Sequence, residues 1–466
     1  MIYEYIIVLV ISFLVVAGLS LLLWRPVVNL GIDAFIKRLM KEPYPENIGE
    51  MYNVYTKIGF QNILETDLRG TTGEMLKRPF GTPFQYSQWD KLLLNPVYLS
   101  RPPVVESVAI DTQVIIGPKA KRPLYVDLPI LIAGMSYGIG LSVNAKVALA
   151  KAADMAGTAT NTGAGPFLPE ERKHTKRLII QYHRGNWAKE DKVLRQADMI
   201  EIQLGYGALG SAPIFHAPEE LSAGLHDYLN LSTGEGLLEE AGLSNHGKPT
   251  KLAELVKYLR QLTNGVPIGI KFGATHYLER ELAMMTEADI DFITIDGAEA
   301  GIYYGPGLTD DLGLPALPAL CRTVKFLQQK GFKDKISVIL SGGMVTPGQF
   351  LKALALGADA VAIGTIAIVT LTHGQNTKVL PWEPITELVY DTGKSKGKLN
   401  VDRGATSVYN FMESCKQEII MGMRNLGWTS LKQLSVNDLV ALTPEMSTMT
   451  GAQLGLFTPG QDKRRN

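Results

Sequence analysis

SGGMVTPGQFLKALALGADAVAIGT, residues 341–365, holds two glycine-tipped turns with a helical pattern between them. SVILSG (337–342) runs into the stretch and AVAIGT (360–365) closes it. Thr346-Pro347-Gly348-Gln349 reads as a capping box with proline at the first helical position. Phe350, Leu351 and Leu354 then share one face, and Gly357 ends the helix. The two flanking runs are apolar throughout rather than alternating. That pattern belongs to strands covered on both faces, as in a parallel sheet.

The same unit recurs toward the N-terminus. PILIAGM (129–135), TATNTG (158–163), LIIQYH (178–183), MIEIQL (199–204), PIGIKF (267–272) and FITIDG (292–297) bring the strands to eight. Helical segments such as NAKVALAKAADMAG (144–157) and TKLAELVKYLRQLTNG (250–265) lie between them and stop at glycine. Eight strand–helix repeats over about 250 residues predict an α/β fold, a (β/α)8 TIM barrel. A doubly wound open sheet is the rival arrangement.

The barrel is expected at 121–372. Residues 27–120, rich in proline, tyrosine and turn residues, read as an N-terminal extension that wraps it. Residues 373–466 read as a C-terminal helical extension with one clear helix, YNFMESCKQEIIMGMRNLG (409–427). Residues 1–26 differ in kind. From Ile6 to Trp24, 19 residues carry no charge, and as a helix they would span ~28 Å, about the thickness of a hydrocarbon core. A membrane anchor is the expectation, with a signal peptide or a core helix as alternatives. A signal peptide wants a basic start, and MIYEY offers only Glu4. Arg25, Lys37, Arg38 and Lys41 follow the span and no basic residue precedes it. This predicts a single-pass cell-membrane protein with its catalytic domain in the cytoplasm.

Composition excludes some classes. Lysine plus arginine and aspartate plus glutamate number 46 each, which gives no electrostatic footprint for nucleic acid. Cys321 and Cys415 are the two cysteines, too few for a disulfide framework or a four-cysteine metal site. His183, His216, His276 and His373 are scattered outside any metal-binding spacing, so no metal site is predicted.

In a barrel the reactive face lies at the C-terminal ends of the strands, with phosphates often beyond strands seven and eight. Ser341-Gly342-Gly343 and Gly364-Thr365 are those two tips here. They offer backbone N–H groups and hydroxyls to a phosphate, although either pair alone could simply permit a tight turn. Gly134-Met135-Ser136 ends the first strand with an apolar shelf for a flat ring, Gln203 ends the fourth, and Lys271 ends the fifth. A cation there can stabilise negative charge on a reduced flavin. Each has a plainer reading: core, helix cap and rim charge respectively. As a set they suit FMN.

GMSYG, NTGAG (161–165), EIQLGYGALG (201–210), IGIKFGA (268–274), ITIDGAEAG (293–301) and the opening stretch, in this order, resemble the FMN-binding synthase domain of the glutamate synthase family. The chain is most similar to stand-alone, membrane-anchored bacterial proteins of that family. The resemblance covers roughly residues 85–450 and includes VNDLVALTPEMSTMTG. It implies a flavoprotein oxidoreductase of glutamate and amino-acid biosynthesis. In the family, ammonia condenses with 2-oxoglutarate and the imine carbon takes a hydride from reduced FMN. It places flavin contacts at Gly134, Met135, Ser136, Gln203, Lys271, Gly342, Gly343, Gly364 and Thr365, with Asn161 beside them at the second strand tip.

Several positions depart from the family pattern. Its ammonia-releasing unit opens on a cysteine nucleophile, whereas this chain opens MIYEY. LTHGQNTKVLPW (371–382) keeps Asn376-Thr377 but has lysine where an iron–sulfur cysteine is expected. The family's Gly-Gly-Thr-Gly is Ala300-Gly301-Ile302-Tyr303. Its glutamine and lysine after EIQ are Tyr206 and Leu209, and the glutamate of the NTG loop is Ala164. Donors and charge are thereby removed from above the flavin. The expectation is an enzyme reducing an imine or keto acid, with Lys271 stabilising the reduced ring. Glu299 or Asp296 would contact substrate or deliver a proton, or else serve as caps of the sixth loop. Electrons come from an external donor, since no GxGxxG opens a helix after an early strand. A non-catalytic flavin- or nucleotide-binding barrel, acting as sensor or scaffold, is the alternative.

Overall fold

The computed structural model describes residues 2–43, 47–229, 231–232, 234–245, 248–303, 305–379 and 383–456. The chain forms two units, Met1–Leu76 and Lys77–Asn466. The first holds the helices Ile2–Lys41, Glu50–Ile58 and Phe60–Thr72. Helix Ile2–Lys41 is long and apolar enough to cross a membrane by length and composition. It does not stop near residue 26, because Pro26 is accommodated inside it and the helix runs on to Lys41. Its apolar side chains from Ile6 to Leu23 are exposed.

The second unit is built on eight parallel strands: β1 Ile130–Ile132, β2 Thr160–Asn161, β3 Leu178–Tyr182, β4 Met199–Gln203, β5 Ile268–Gly273, β6 Phe292–Asp296, β7 Ser337–Ser341 and β8 Ala360–Ile363. They pair in chain order from β2 through β8, and β8 then pairs with β1. Ile132 N donates to Ala159 O at 3.0 Å, and this bond between β1 and the residue before β2 closes the ring. The architecture is therefore the (β/α)8 barrel. Thr346 caps the helix Pro347–Ala355 as the sequence predicts: its hydroxyl accepts from Gln349 N at 3.3 Å, and Gln349 Oε1 accepts from Thr346 N at 3.1 Å.

Apolar residues fill the lower barrel. Ile179, Met199, Phe292, Ile339 and Ala360 form one buried cluster with Val114, Ile116, Leu124 and Val126. These last four belong to an antiparallel hairpin, Val114–Ile116 against Leu124–Val126, that seals the N-terminal end of the barrel. Gly117 N in its turn donates to Ser337 Oγ at the base of β7. The long helix Val401–Asn425 begins earlier than the 409–427 pattern indicates, capped by the Asn400 side chain. Leu92–Leu94 pairs antiparallel with Leu439–Ala441, joining the segment before the barrel to the segment after it. Residues 457–466 of the predicted C-terminal extension lie outside the described residues.

Gly269 shows how the interior is fitted together. A Cβ there would lie 2.4 Å from the ring of Phe292 and 2.3 Å from its carbonyl oxygen. The glycine of PIGIKF thus makes room for a fully buried phenylalanine. Phe292→Ala is expected to lower unfolding stability by about 3–5 kcal/mol through the cavity it leaves. Gly269→Ala is expected to destabilise as well, by a clash with backbone that cannot move aside. Urea denaturation of both variants against wild type checks the pair.

Candidate active site

A cavity of about 350 Å³ opens at the C-terminal ends of the strands. Gly134, Met135, Ser136, Lys271, Asp296, Glu299, Ser341, Gly342, Gly343, Gly364 and Thr365 all line it. Two predicted residues do not. Asn161 lies on a small cleft beneath, with Glu201 and Thr294. Gln203 is fully buried, its amide turned toward the Tyr206 hydroxyl without reaching hydrogen-bond geometry.

The glycines at the last two tips have different reasons. Gly342 and Gly343 have φ of 108° and 68°, left-handed conformations that disfavour a side chain. A Cβ on Gly342 would also press on Gly297 N at 3.0 Å. Gly364 has negative φ, and a Cβ there would meet only Ala133 within 4 Å, at 3.8 Å. Its missing side chain leaves cavity space open beside Thr365. The β7 and β8 tips thus offer a bare backbone cradle, one that fits a phosphate.

Lys271 stands on the cavity floor, 3.1 Å from Asp296 Oδ2, with both side chains almost fully buried. Asp296 Oδ1 is buried and has no hydrogen-bond partner, so this carboxylate retains an accepting oxygen on the cavity side. Burial opposes the Lys271 charge, but Asp296 and then Glu201 outweigh it and hold the ammonium above the usual lysine range. Glu201 projects from the middle of β4. Its Oε1 accepts from Asn161 Nδ2 and Gln181 Nε2 at 2.8 Å each, and its Oε2 accepts from Thr294 Oγ1 at 2.7 Å.

Glu299 is engaged on both oxygens. Oε1 accepts from Ser87 N and Oε2 from Ala316 N, each at 2.9 Å. It caps the helix Ala316–Gln329 and ties the segment before the barrel to the sixth loop. Ser87 Oγ accepts from Leu317 N at 3.0 Å, completing the tie. The segment from Phe80 to Trp89 contributes several cavity walls. Arg78 anchors its start by exchanging backbone hydrogen bonds with Gly305.

Sequence reasoning missed three groups. Lys146 Nζ donates to Met135 O and Asn161 O at 2.8 Å each and pairs with Glu171 Oε1 at 2.8 Å, both side chains 1% exposed. It therefore fixes the tips of β1 and β2 from behind. Burial pulls its ammonium down and pushes the Glu171 carboxyl up, so the pair depends on these contacts. The signal was present: a lysine within the otherwise small and apolar NAKVALA. Glu201 likewise sits inside an apolar strand. The third group is Tyr206 on the cavity wall with Glu239, His216 and Arg184 behind it, brought together by the insertion after β4 and the end of β3.

Aromatic and aliphatic side chains make much of the remaining wall, beside Thr82, Gln85 and Gln349. Tyr206, Ile302, Tyr303 and Tyr390 line the cavity, the last two with ring centroids 4.7 Å apart, while Leu209 lies off it. Among the described lining residues Lys271 is the one cation. Tyr304, within the altered 300–305 loop, lies outside the described residues. In the segment compared above with the iron–sulfur region, Lys378 Nζ donates to Lys398 O at 2.8 Å, and residues 380–382 lie outside the described residues.

A family model described as the conserved region in glutamate synthase matches residues 100–429. A glutamate synthase large subunit-like protein of Rhizobium meliloti (strain 1021) is 32% identical over 405 residues, 81% of this chain and 89% of that protein. An archaeal glutamate synthase (NADPH) of Archaeoglobus fulgidus is 28% identical over 429 residues, 86% of this chain and 82% of that one. Among solved structures, a mutant flavocytochrome b2 with pyruvate bound is 18% identical with a TM-score of 0.49, covering 81% of this chain and 82% of that one.

Lys146→Met leaves Glu171 buried without its partner. It is expected to cost about 3–5 kcal/mol of stability, and Lys146→Met with Glu171→Leu to recover much of that loss. Chemical denaturation of the two single variants and the double variant checks this.

Proposed function

The chain belongs to the glutamate synthase family, and from that premise we propose an FMN-dependent oxidoreductase that reduces an imine or a 2-oxo acid. The observation that carries the reading is the convergence of Gly342, Gly343, Gly364, Thr365 and Lys271 on one cavity at the strand ends. Its volume, about 350 Å³, lies in the ~300–1,000 Å³ range of cofactor pockets. When bound, FMN supplies two-electron redox chemistry.

Ser341, Gly342, Gly343, Gly364 and Thr365 would hold the phosphate through backbone N–H groups and hydroxyls. Gly134, Met135 and Ser136 would flank the ring. Lys271, pinned by Asp296, would place a fixed positive charge against it. Asn161 and Gln203 would support the floor. Asn161 does so by accepting from Gly163 N at 2.9 Å while donating to Glu201. Glu299, with both oxygens on backbone N–H groups, is assigned a positioning role rather than contact with substrate.

A dicarboxylate asks for a cation or several N–H donors at each end. One lysine and a wall of Tyr206, Ile302, Tyr303 and Tyr390 favour a substrate with a single carboxylate, smaller in charge than 2-oxoglutarate. Electrons are assigned to a separate donor. The apolar run of the first helix, followed within the same helix by Arg25, Lys37, Arg38 and Lys41, supports a membrane anchor with the barrel on the cytoplasmic side. A flavin-binding sensor or scaffold draws on the same apolar wall, and one experiment separates the two readings.

Full-length protein purified in detergent is expected to be yellow with bound FMN. Once reduced without oxygen, it should be reoxidised by monocarboxylic 2-oxo acids plus ammonium faster than by 2-oxoglutarate plus ammonium. Lys271→Met should slow that step about 10²–10³-fold, and Gly364→Val should abolish flavin retention while the circular dichroism spectrum persists. A flavoprotein that no 2-oxo acid with ammonium reoxidises would leave the sensor reading.

A further inference from the structure

We propose that Tyr206 is the proton donor of the reaction in this cavity and that Glu239 and His216 recharge it from solvent. The proposal rests on the reductase reading above and supplies its proton path.

Tyr206 is held rigidly. Its N donates to Gly210 O at 3.0 Å and its O accepts from Gly210 N at 3.1 Å, closing a tight loop after β4. Gly205 admits no side chain, since a Cβ would lie 2.2 Å from Gly210 O, and Gly210 has φ of 65°. The half-buried ring is thereby fixed on the cavity wall. Its hydroxyl donates to Glu239, 2.9 Å from Oε1 and 3.0 Å from Oε2.

Glu239 is 1% exposed and comes from an antiparallel hairpin, Ile214–His216 against Leu237–Glu239, inserted between β4 and the helix Leu252–Leu262. His216 Nε2 lies 3.2 Å from Glu239 Oε1, and the residue is buried with a residual exposure of 9%. Arg184, just beyond β3, brings Nη2 to 3.8 Å from Glu239 Oε2, while its Nη1 donates to Ser211 O, Ala212 O and Glu240 O. Tyr206, His216 and Arg184 are the titratable or charged groups that face Glu239. A hairpin brace alone would be made more cheaply from apolar residues, because burying an acid and an arginine carries a desolvation cost. What a brace does not need is a phenol from the cavity wall at one end and an imidazole at the other.

Of the two acids among the described lining residues, Glu299 accepts two backbone N–H groups, and Asp296 is paired with Lys271 through Oδ2. Reducing C=N or C=O adds two electrons and one proton at carbon, which the reduced flavin provides. One further proton is needed at nitrogen or oxygen. The Tyr206 O–H bond breaks as the π pair of the substrate takes that proton. The imidazolium form of His216 then passes its Nε2 proton to the Glu239 carboxylate, which hands a proton on to the phenolate, and the imidazole takes a proton back from solvent, so the relay ends unchanged. Burial and Glu239 hold the Tyr206 phenol well above its usual range, which keeps it protonated between turnovers.

The test uses full-length, FMN-loaded wild type with Tyr206→Phe, Glu239→Gln and His216→Asn, labelled with 3-fluorotyrosine. The fluorine resonance absent from Tyr206→Phe is expected to move with pH in wild type and to stand still in His216→Asn and Glu239→Gln. With glyoxylate plus ammonium as probe, reoxidation of reduced Tyr206→Phe should be about 10²-fold slower than wild type, with an unchanged flavin spectrum. Added imidazole should restore rate to His216→Ala but not to Tyr206→Phe. A wild-type Tyr206 resonance indifferent to pH, or Tyr206→Phe reoxidising at the wild-type rate, overturns the relay. If the probe reoxidises no protein at all, the reductase reading fails, and the fluorine titration still decides whether the relay exists. Should Glu239→Gln not fold with Arg184 left uncompensated, His216→Asn carries the same decision.

Discussion

A carboxylate in the middle of a sealed barrel must be satisfied from within, and the site is arranged around how Glu201 meets that demand. Asn161 on β2, Gln181 on β3 and Thr294 on β6 all donate to it. One side chain thereby ties four of the eight strands together at a single height. Its residual negative charge helps keep Lys271 protonated one step higher, where Asp296 holds the ammonium in place. Without this polar layer the lysine would be a desolvated cation with one partner, and partnerless buried charge is among the costliest defects a core can carry.

Above that layer the labour is divided. Backbone makes the cradle at the tips of β7 and β8, and side chains make the walls. Glu299 and Lys146 bear on the site without contributing chemistry of their own. One binds the segment before the barrel to the sixth loop, and the other holds the carbonyls of the first two tips from behind. The inserted hairpin after β4 stands behind the wall, where Glu239 accepts from the Tyr206 hydroxyl.

Much of this was legible in the sequence, for physical reasons. Continuous apolar runs mark strands covered on both faces, and glycine at their ends marks backbone that must approach something closely. The strands and the glycine-bearing tips follow from those two rules. What escaped was long-range. Lys146 looked like one polar position on a small apolar helix until its partners, Met135 O and Glu171, came from other elements. Glu299 and Asp296 could not be told apart, since which carboxylate meets backbone and which meets lysine depends on loop closure. Asn161 and Gln203 sit below the cavity because the inward face of a strand continues beneath its tip. The anchor was expected over 1–26 from its uncharged run, yet the helix continues to Lys41. Residues 77–89 carry no period at all, and their place on the cavity comes from contacts hundreds of residues away, such as Arg78 with Asp310.

The hairpin Val114–Ile116/Leu124–Val126 has a kinetic consequence. By stoppering one end of the barrel it confines access to the C-terminal end of the strands. On the reductase reading, reductant and oxidant would both have to approach from that end.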